Sequence, residues 1–162
     1  MRVKISLLAL VASLGPWVAS AQTSDAEAEA VVNLLGVQKK EAIAKLVPVF
    51  GKDSVAFWKI YDEYQQGNRA TAKDRLHLYE GTAMSYQRMN PRVADSLAQL
   101  YFSNRMEQEK NLQIYYNKIK TATNAVVAFE FYQAEVYLLT MIRAQIMRQI
   151  PTYGSLQPAP GR

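Results

Sequence analysis

The residues best placed to do chemistry are Asp74, His77 and Glu80, in the pattern Asp-x-x-His-x-x-Glu. An imidazole and two carboxylates are metal-ligand types, and this spacing sets them along one side of a helix. Positions i and i+6 diverge around the helix, however, so the three converge only with help from another element. His77 is the only histidine, and there is no cysteine. That excludes disulfides, thiolate-bound zinc, iron–sulfur clusters, thiol catalysis and a multi-histidine site within one chain. A serine–histidine–acid system would have to use His77, which lies mid-helix with no strained nucleophile turn beside it. The seven glycines are scattered, so no phosphate-cradling loop exists. The expectation is a solvated charged face at Asp74–Glu80, no resident metal, no cofactor and no enzyme activity.

A second set is Arg105 and Glu109, four apart, with Glu135 and Arg143 on an otherwise apolar segment. An acid between Tyr132, Val136 and Leu138 needs a partner if it is buried. One expectation is a cross-helix charge network joining Arg105 and Glu109 to Glu135 and Arg143; the other is that all four snorkel to solvent. Nine of the ten tyrosines lie on the predicted helices at helical spacing, a pattern more typical of a core than of a cofactor site. The alternative is that several face a concave apolar groove, where a ring packs while its hydroxyl stays hydrated.

The elements that must position these groups are helices. Between Arg92 and Ile150 there is neither glycine nor proline, and no sustained period-2 alternation or hairpin turn appears. Ser24 and Asp25 offer caps for a short first helix that Gly36 can close, followed by a short segment over 38–47 that Pro48 stops. Phe57, Tyr61, Tyr64, Asn68, Ala72, Leu76, Tyr79, Ala83 and Tyr86 form one face of a long helix starting near Asp53 or Ser54. Gly67 or Gly81 is the expected bend. Asn90 caps a third helix with Pro91 at its first position, and its middle, 103–111, is unusually polar. After a turn at 121–124, a strongly apolar fourth helix runs to Ile150, with a face at Val127, Phe129, Tyr132, Val136, Leu139, Ile142, Ile146 and Ile150, broadened by Tyr137, Leu138 and Met141. It is the helix expected to be most buried. The predicted fold is all-α: a long antiparallel helical hairpin or bundle of about three long helices plus short N-terminal helices.

Residues 1–21 read as an export signal: Arg2 and Lys4, an apolar run from Ile5 to Leu14, then a small-x-small site for cleavage between Ala21 and Gln22. Cleavage lowers the net charge from +5 to +3, too little for a nucleic-acid footprint. A helical domain over 22–154 and a flexible tail over 155–162 are expected, in a periplasmic or secreted protein. No later run holds eighteen consecutive apolar residues, so no membrane span is expected in the mature chain.

Three stretches carry a family resemblance: Phe57 to Tyr64, Tyr115 to Lys118, and Ala128 to Glu135 continuing through Ile142-Arg143 to Ile150-Pro151. They resemble the Spy/CpxP-like group of small exported helical proteins. The resemblance implies an elongated helical hairpin, often dimeric, with a concave face. In the best-known members that face holds unfolded protein clients without ATP or senses envelope stress. The Leu-Thr-x-x-Gln motif of that group is replaced by Met89-Asn90-Pro91-Arg92-Val93. The single histidine departs from its metal-sensing members. The functional expectation is an exported binding protein with chaperone or stress-adaptor activity, compatible with a homodimer; the alternatives are a metal or stress sensor acting through a protein partner, and a structural envelope protein.

Overall fold

The computed structural model describes residues 25–148. The signal segment with its Ala21–Gln22 cleavage point and the tail at 155–162 lie outside the described residues. Every element among the described residues is helical: α1 (Asp25–Leu46), α2 (Gly51–Gly67), α3 (Arg69–Ser85), a 3-10 turn (Tyr86–Arg88), α4 (Pro91–Ala122) and α5 (Ala125–Met147). The all-α class is therefore what the chain adopts.

Successive directions follow from the side-chain pairs. Lys73 of α3 meets Asp25 and Arg69 meets Glu29, while further along α1 Lys40 meets Asp62 of α2. Thus α1 runs antiparallel to α2 and α3. In the same way Lys118 of α4 meets Glu63, Asn111 meets Asn68, and Tyr101 meets Thr82, so α4 runs back along them. The core draws on four helices: Ile43 from α1 with Val47 just after it, Phe57, Tyr61 and Tyr64 from α2, Leu112 and Ile119 from α4, and Phe131 and Leu138 from α5. Side chains of this size contribute about 1.5–3 kcal/mol each on full burial. Phe131 stands edge-on to Phe57, Tyr61 and Tyr64 at centroid distances of 6.3, 6.2 and 5.3 Å, which is the arrangement the ring quadrupoles favour.

The expected pair of short N-terminal helices is a single 22-residue helix. Gly36 does not end α1, because its carbonyl lies under α2 and accepts a hydrogen bond from Gln65 Nε2 at 2.8 Å. Tertiary contact thus outweighs the roughly 1 kcal/mol propensity cost of an internal glycine. α2 begins at Gly51, earlier than the expected Asp53 or Ser54, since Gly51 takes a positive φ of 61° that turns the chain into the helix. The interruption of the long second helix falls at Gly67–Asn68. There Asn68 Nδ2 donates to the Tyr64 carbonyl at 2.9 Å, competing with the helical ladder. Gly81 stays inside α3.

The caps of α4 and α5 are regular. Asn90 accepts from the Val93 amide at 3.1 Å with Pro91 behind it, and Asn124 accepts from the amides of Val126 and Val127 at 2.9 and 3.1 Å. The buried face of α5 differs from the expected one. It comprises Val127, Ala128, Phe131, Ala134, Glu135 and Leu138, while Phe129 is exposed and Tyr132, Val136, Leu139, Ile142 and Ile146 are half-buried. A helix apolar nearly all round gives no phase from which to choose its buried side. The same apolarity makes α5 long and apolar enough, by length and composition, to cross a membrane. Here its Phe131 side enters the core and its C-terminal half lines a cleft.

Two glycine substitutions test this backbone account. No atom lies within 4 Å of the Cβ that Gly81→Ala would add, so that variant should gain up to about 1 kcal/mol of stability from helix propensity. Gly51→Ala has equal room but sits at φ 61°, and should lose about 1 kcal/mol. Urea denaturation of both variants checks the opposite signs.

Candidate functional site

Glu135 is fully buried. It faces inward because it shares a helix side with Phe131 and Leu138, one turn before and after it. Three groups from two other helices meet its carboxylate. Lys39 Nζ of α1 lies 2.8 Å from Oε2. Tyr64 of α2 donates to Oε2 at 2.8 Å and Tyr61 donates to Oε1 at 3.1 Å. Lys39 is itself buried and stands 5.3 Å from the centre of the Tyr64 ring. A carboxylate taken out of water is tolerable only with such partners. The phenols respond in turn. Burial first, and the Glu135 carboxylate second, push Tyr61 and Tyr64 far above the ordinary tyrosine value of 10.0, so both remain proton donors to Glu135.

On the outer side of this cluster, Lys39 and Tyr64 border a half-open cleft of about 570 Å³ between α1, α3 and α5, with Gln108 of α4 also on its wall. Val32, Leu35, Leu76, Leu139, Ile142 and Ile146 give it apolar walls. Its cations are treated in two ways. Lys39, Lys40 and Arg69 are each paired with an acid. Arg75 and Arg143, in contrast, are in no ion pair among the described residues. Arg75 Nε donates to Asn104 Oδ1 at 2.9 Å, and Asn104 Nδ2 donates to the Thr71 carbonyl at 2.9 Å. Burial holds the Arg75 guanidinium below its ordinary value, and the like charge of Arg143 adds to that depression. Burial raises the Tyr79 phenol, and the nearby Arg143 and Arg75 draw it back. Gln108 is buried, and its Oε1 has no hydrogen-bond partner among the described residues.

The four-residue charge network over Arg105, Glu109, Glu135 and Arg143 does not assemble. Arg105 and Glu109 are exposed on α4, Arg143 lines the cleft, and Glu135 takes Lys39, Tyr61 and Tyr64 instead. Helical periodicity could not set Lys39 against Glu135, because nothing in the polar spacing of α1 distinguishes Lys39 from Lys40. The polar middle of α4 does mark a real feature. Asn104, Gln108 and Asn111 turn toward α2 and α3, and Asn104 and Asn111 bond across the seam. His77 stands 3.5 Å from Asp25 and 3.6 Å from Glu80, with Asp74 exposed. Among the described residues no three potential ligands gather to hold a metal. Of the tyrosines, Tyr61, Tyr64 and Tyr79 are buried, and Tyr64 and Tyr79 also border the cleft.

Set against family models, curated proteins and solved structures, the chain matches none.

Two measurements follow from the Glu135 cluster. Glu135→Leu or Lys39→Met alone leaves the other group buried without its counter-charge and should cost about 3–5 kcal/mol. The double variant should cost less than the sum, whereas Arg105→Ala should add to Glu135→Leu without coupling; urea denaturation of the two cycles separates these cases. The second is alkaline. Tyr61 and Tyr64 hold their protons more tightly folded than unfolded, so stability is fully present below the unfolded value near 10.0 and falls as pH rises above it. Between pH ~10 and ~11, Tyr61→Phe or Tyr64→Phe should each lessen that fall by about 1 kcal/mol. Unfolding curves of equal alkaline slope in wild type and variants would contradict the assignment.

Proposed function

We propose that the chain is an exported, non-enzymatic helical binding protein and that the cleft between α1, α3 and α5 is its binding site. The observation that carries this reading is the cleft itself: about 570 Å³, half-open and walled by apolar side chains from three helices. Ligand sites span roughly 300–1,000 Å³ and combine apolar walls with a few placed polar groups, and Arg75, Arg143 and Gln108 are such groups here. The buried carboxylate favours a supporting role over a catalytic one, since both oxygens of Glu135 are engaged within the core.

In this reading α2 with α3, followed by α4, makes the long antiparallel hairpin, while α1 and α5 complete a bundle around it. Export is supported by the signal-like segment 1–21 and fits a cysteine-free chain held together by packing. The Spy/CpxP-like resemblance adds a chaperone or stress-adaptor role, in which unfolded protein segments would be held without ATP. Phe129, Tyr137 and Met141, all exposed on α5, supply apolar surface suited to that role.

The test uses a neutral apolar dye, N-phenyl-1-naphthylamine, so that no head-group charge is involved. Its fluorescence should rise saturably on titration with the purified protein, with one site per chain. Ala72→Trp places an indole in the cleft, which Ala72 borders, and should abolish that rise while the helical circular-dichroism signal is kept. A dye response that is absent, or that Ala72→Trp leaves intact, overturns the assignment of the cleft.

A further inference from the structure

We infer that the cleft takes a single-chain amphiphile with an anionic head, of the fatty-carboxylate class, its head on Arg75 and Arg143 and its chain along the apolar walls. This rests on the cleft being the binding site, and it names the ligand chemistry. The first support is the charge pattern. Along the same cleft Lys39, Lys40 and Arg69 each have an acid within ion-pair reach, whereas Arg75 and Arg143 have none among the described residues. Arg75 is half-buried and Arg143 is a like charge in its surroundings. The acid that borders the cleft, Asp62, is engaged by Lys40, so the two guanidiniums are left without a counter-charge of their own, and a bound anion compensates them with charge-assisted hydrogen bonds.

The second support is independent of charge. Gln108 is only 4% exposed, borders the cleft and has an Oε1 with no partner among the described residues. A buried amide group left unsatisfied is costly. The oxygen and nitrogen of the amide exchange by a flip, so Gln108 can present Nε2–H to an anion as readily as Oε1 to a hydroxyl. Gln108 lies one turn along α4 from Asn104, which holds Arg75 by its Nε. The guanidinium is thereby oriented while its terminal nitrogens make no hydrogen bond to protein among the described residues.

The third support is shape. Val32 and Leu35 of α1 and Leu139, Ile142 and Ile146 of α5 give apolar contact around the polar groups. The volume suits one drug-sized molecule, which means one acyl chain rather than a two-chain lipid. A small hydrophilic anion would leave those walls without contact, and a neutral hydrocarbon would leave the arginines without a counter-charge.

Isothermal titration calorimetry of the whole protein with decanoate, 1-decanol, decylammonium and acetate, all below micellar concentrations, tests the inference. Decanoate should bind at one per chain, roughly tenfold to a hundredfold tighter than decanol, the range that charged hydrogen bonds supply. Decylammonium and acetate should bind more weakly than decanol. In the Arg75→Gln/Arg143→Gln variant the preference for decanoate over decanol should vanish. A wild-type protein that binds decanol as tightly as decanoate, or a double variant that keeps the preference, overturns the inference. Should that variant not fold, the wild type still decides: decanoate should raise the thermal midpoint well above any rise with decanol or acetate at equal concentration, and equal rises overturn the inference. Saturable dye binding without a decanoate preference defeats the anionic head alone. Failure of both dye and decanoate defeats the cleft assignment as well.

Discussion

The buried carboxylate of Glu135 is the constraint around which the helices are arranged. A charge at full burial cannot be left unpaired, and its partners come from α1 and α2, both distant in sequence from α5. Satisfying it fixes the axial register of three helices at once, because Lys39, Tyr61 and Tyr64 reach the same two oxygens only at one setting. Apolar contacts between Ile43, Phe57 and Phe131 would tolerate sliding by a fraction of a turn; the hydrogen bonds to Glu135 would not. Such a cluster need not increase net stability over an apolar core. Its effect is to select one arrangement among several of similar hydrophobic content.

The helical character of the chain was legible because it is a local property. The stretch free of glycine and proline, the Asn90–Pro91 start and the Asn124 turn are written in neighbouring residues, and the helices begin there. The face Phe57, Tyr61, Tyr64 and Tyr79 was equally legible, since polar residues on the other side give it a phase. Properties that depend on other helices were not. Gly36 reads as a helix end until Gln65 is set against its carbonyl. The side of α5 that turns inward could not be chosen, because apolar residues surround the whole helix. Glu135 reads as an acid needing a partner, but nothing in the sequence ranks Lys39 above Arg105 or Arg143.

The polar middle of α4 and the break between α2 and α3 are two aspects of one seam. Where Gly67 and Asn68 interrupt the long helix, Asn68 bonds back to the Tyr64 carbonyl and forward to Asn111. Beyond the break, Asn104 ties α4 to Thr71 and Arg75, and Thr82 meets Tyr101. An apolar core therefore serves one half of the molecule, around Phe57 and Phe131, and a hydrogen-bonded seam serves the other.

The cleft lies beside that seam. α1, α3 and α5 enclose it where the hydrogen bonds of Asn104 and Thr82 and the Tyr79–Tyr101 ring contact join α3 to α4. The treatment of charge follows the same line. At the boundary with the core, Lys39 is neutralised by Glu135 and shielded by Tyr64. Farther along the cleft, Arg75 is held by a neutral amide and Arg143 has no acid beside it among the described residues. A neutral amide fixes the position of a guanidinium without cancelling its charge, which is the condition for an arginine to attract an anion from outside. Replacing Asn104 by an acid would supply Arg75 with a counter-charge from within and weaken the attraction, leaving Arg143 alone to draw an anion while the walls of the cleft stay in place.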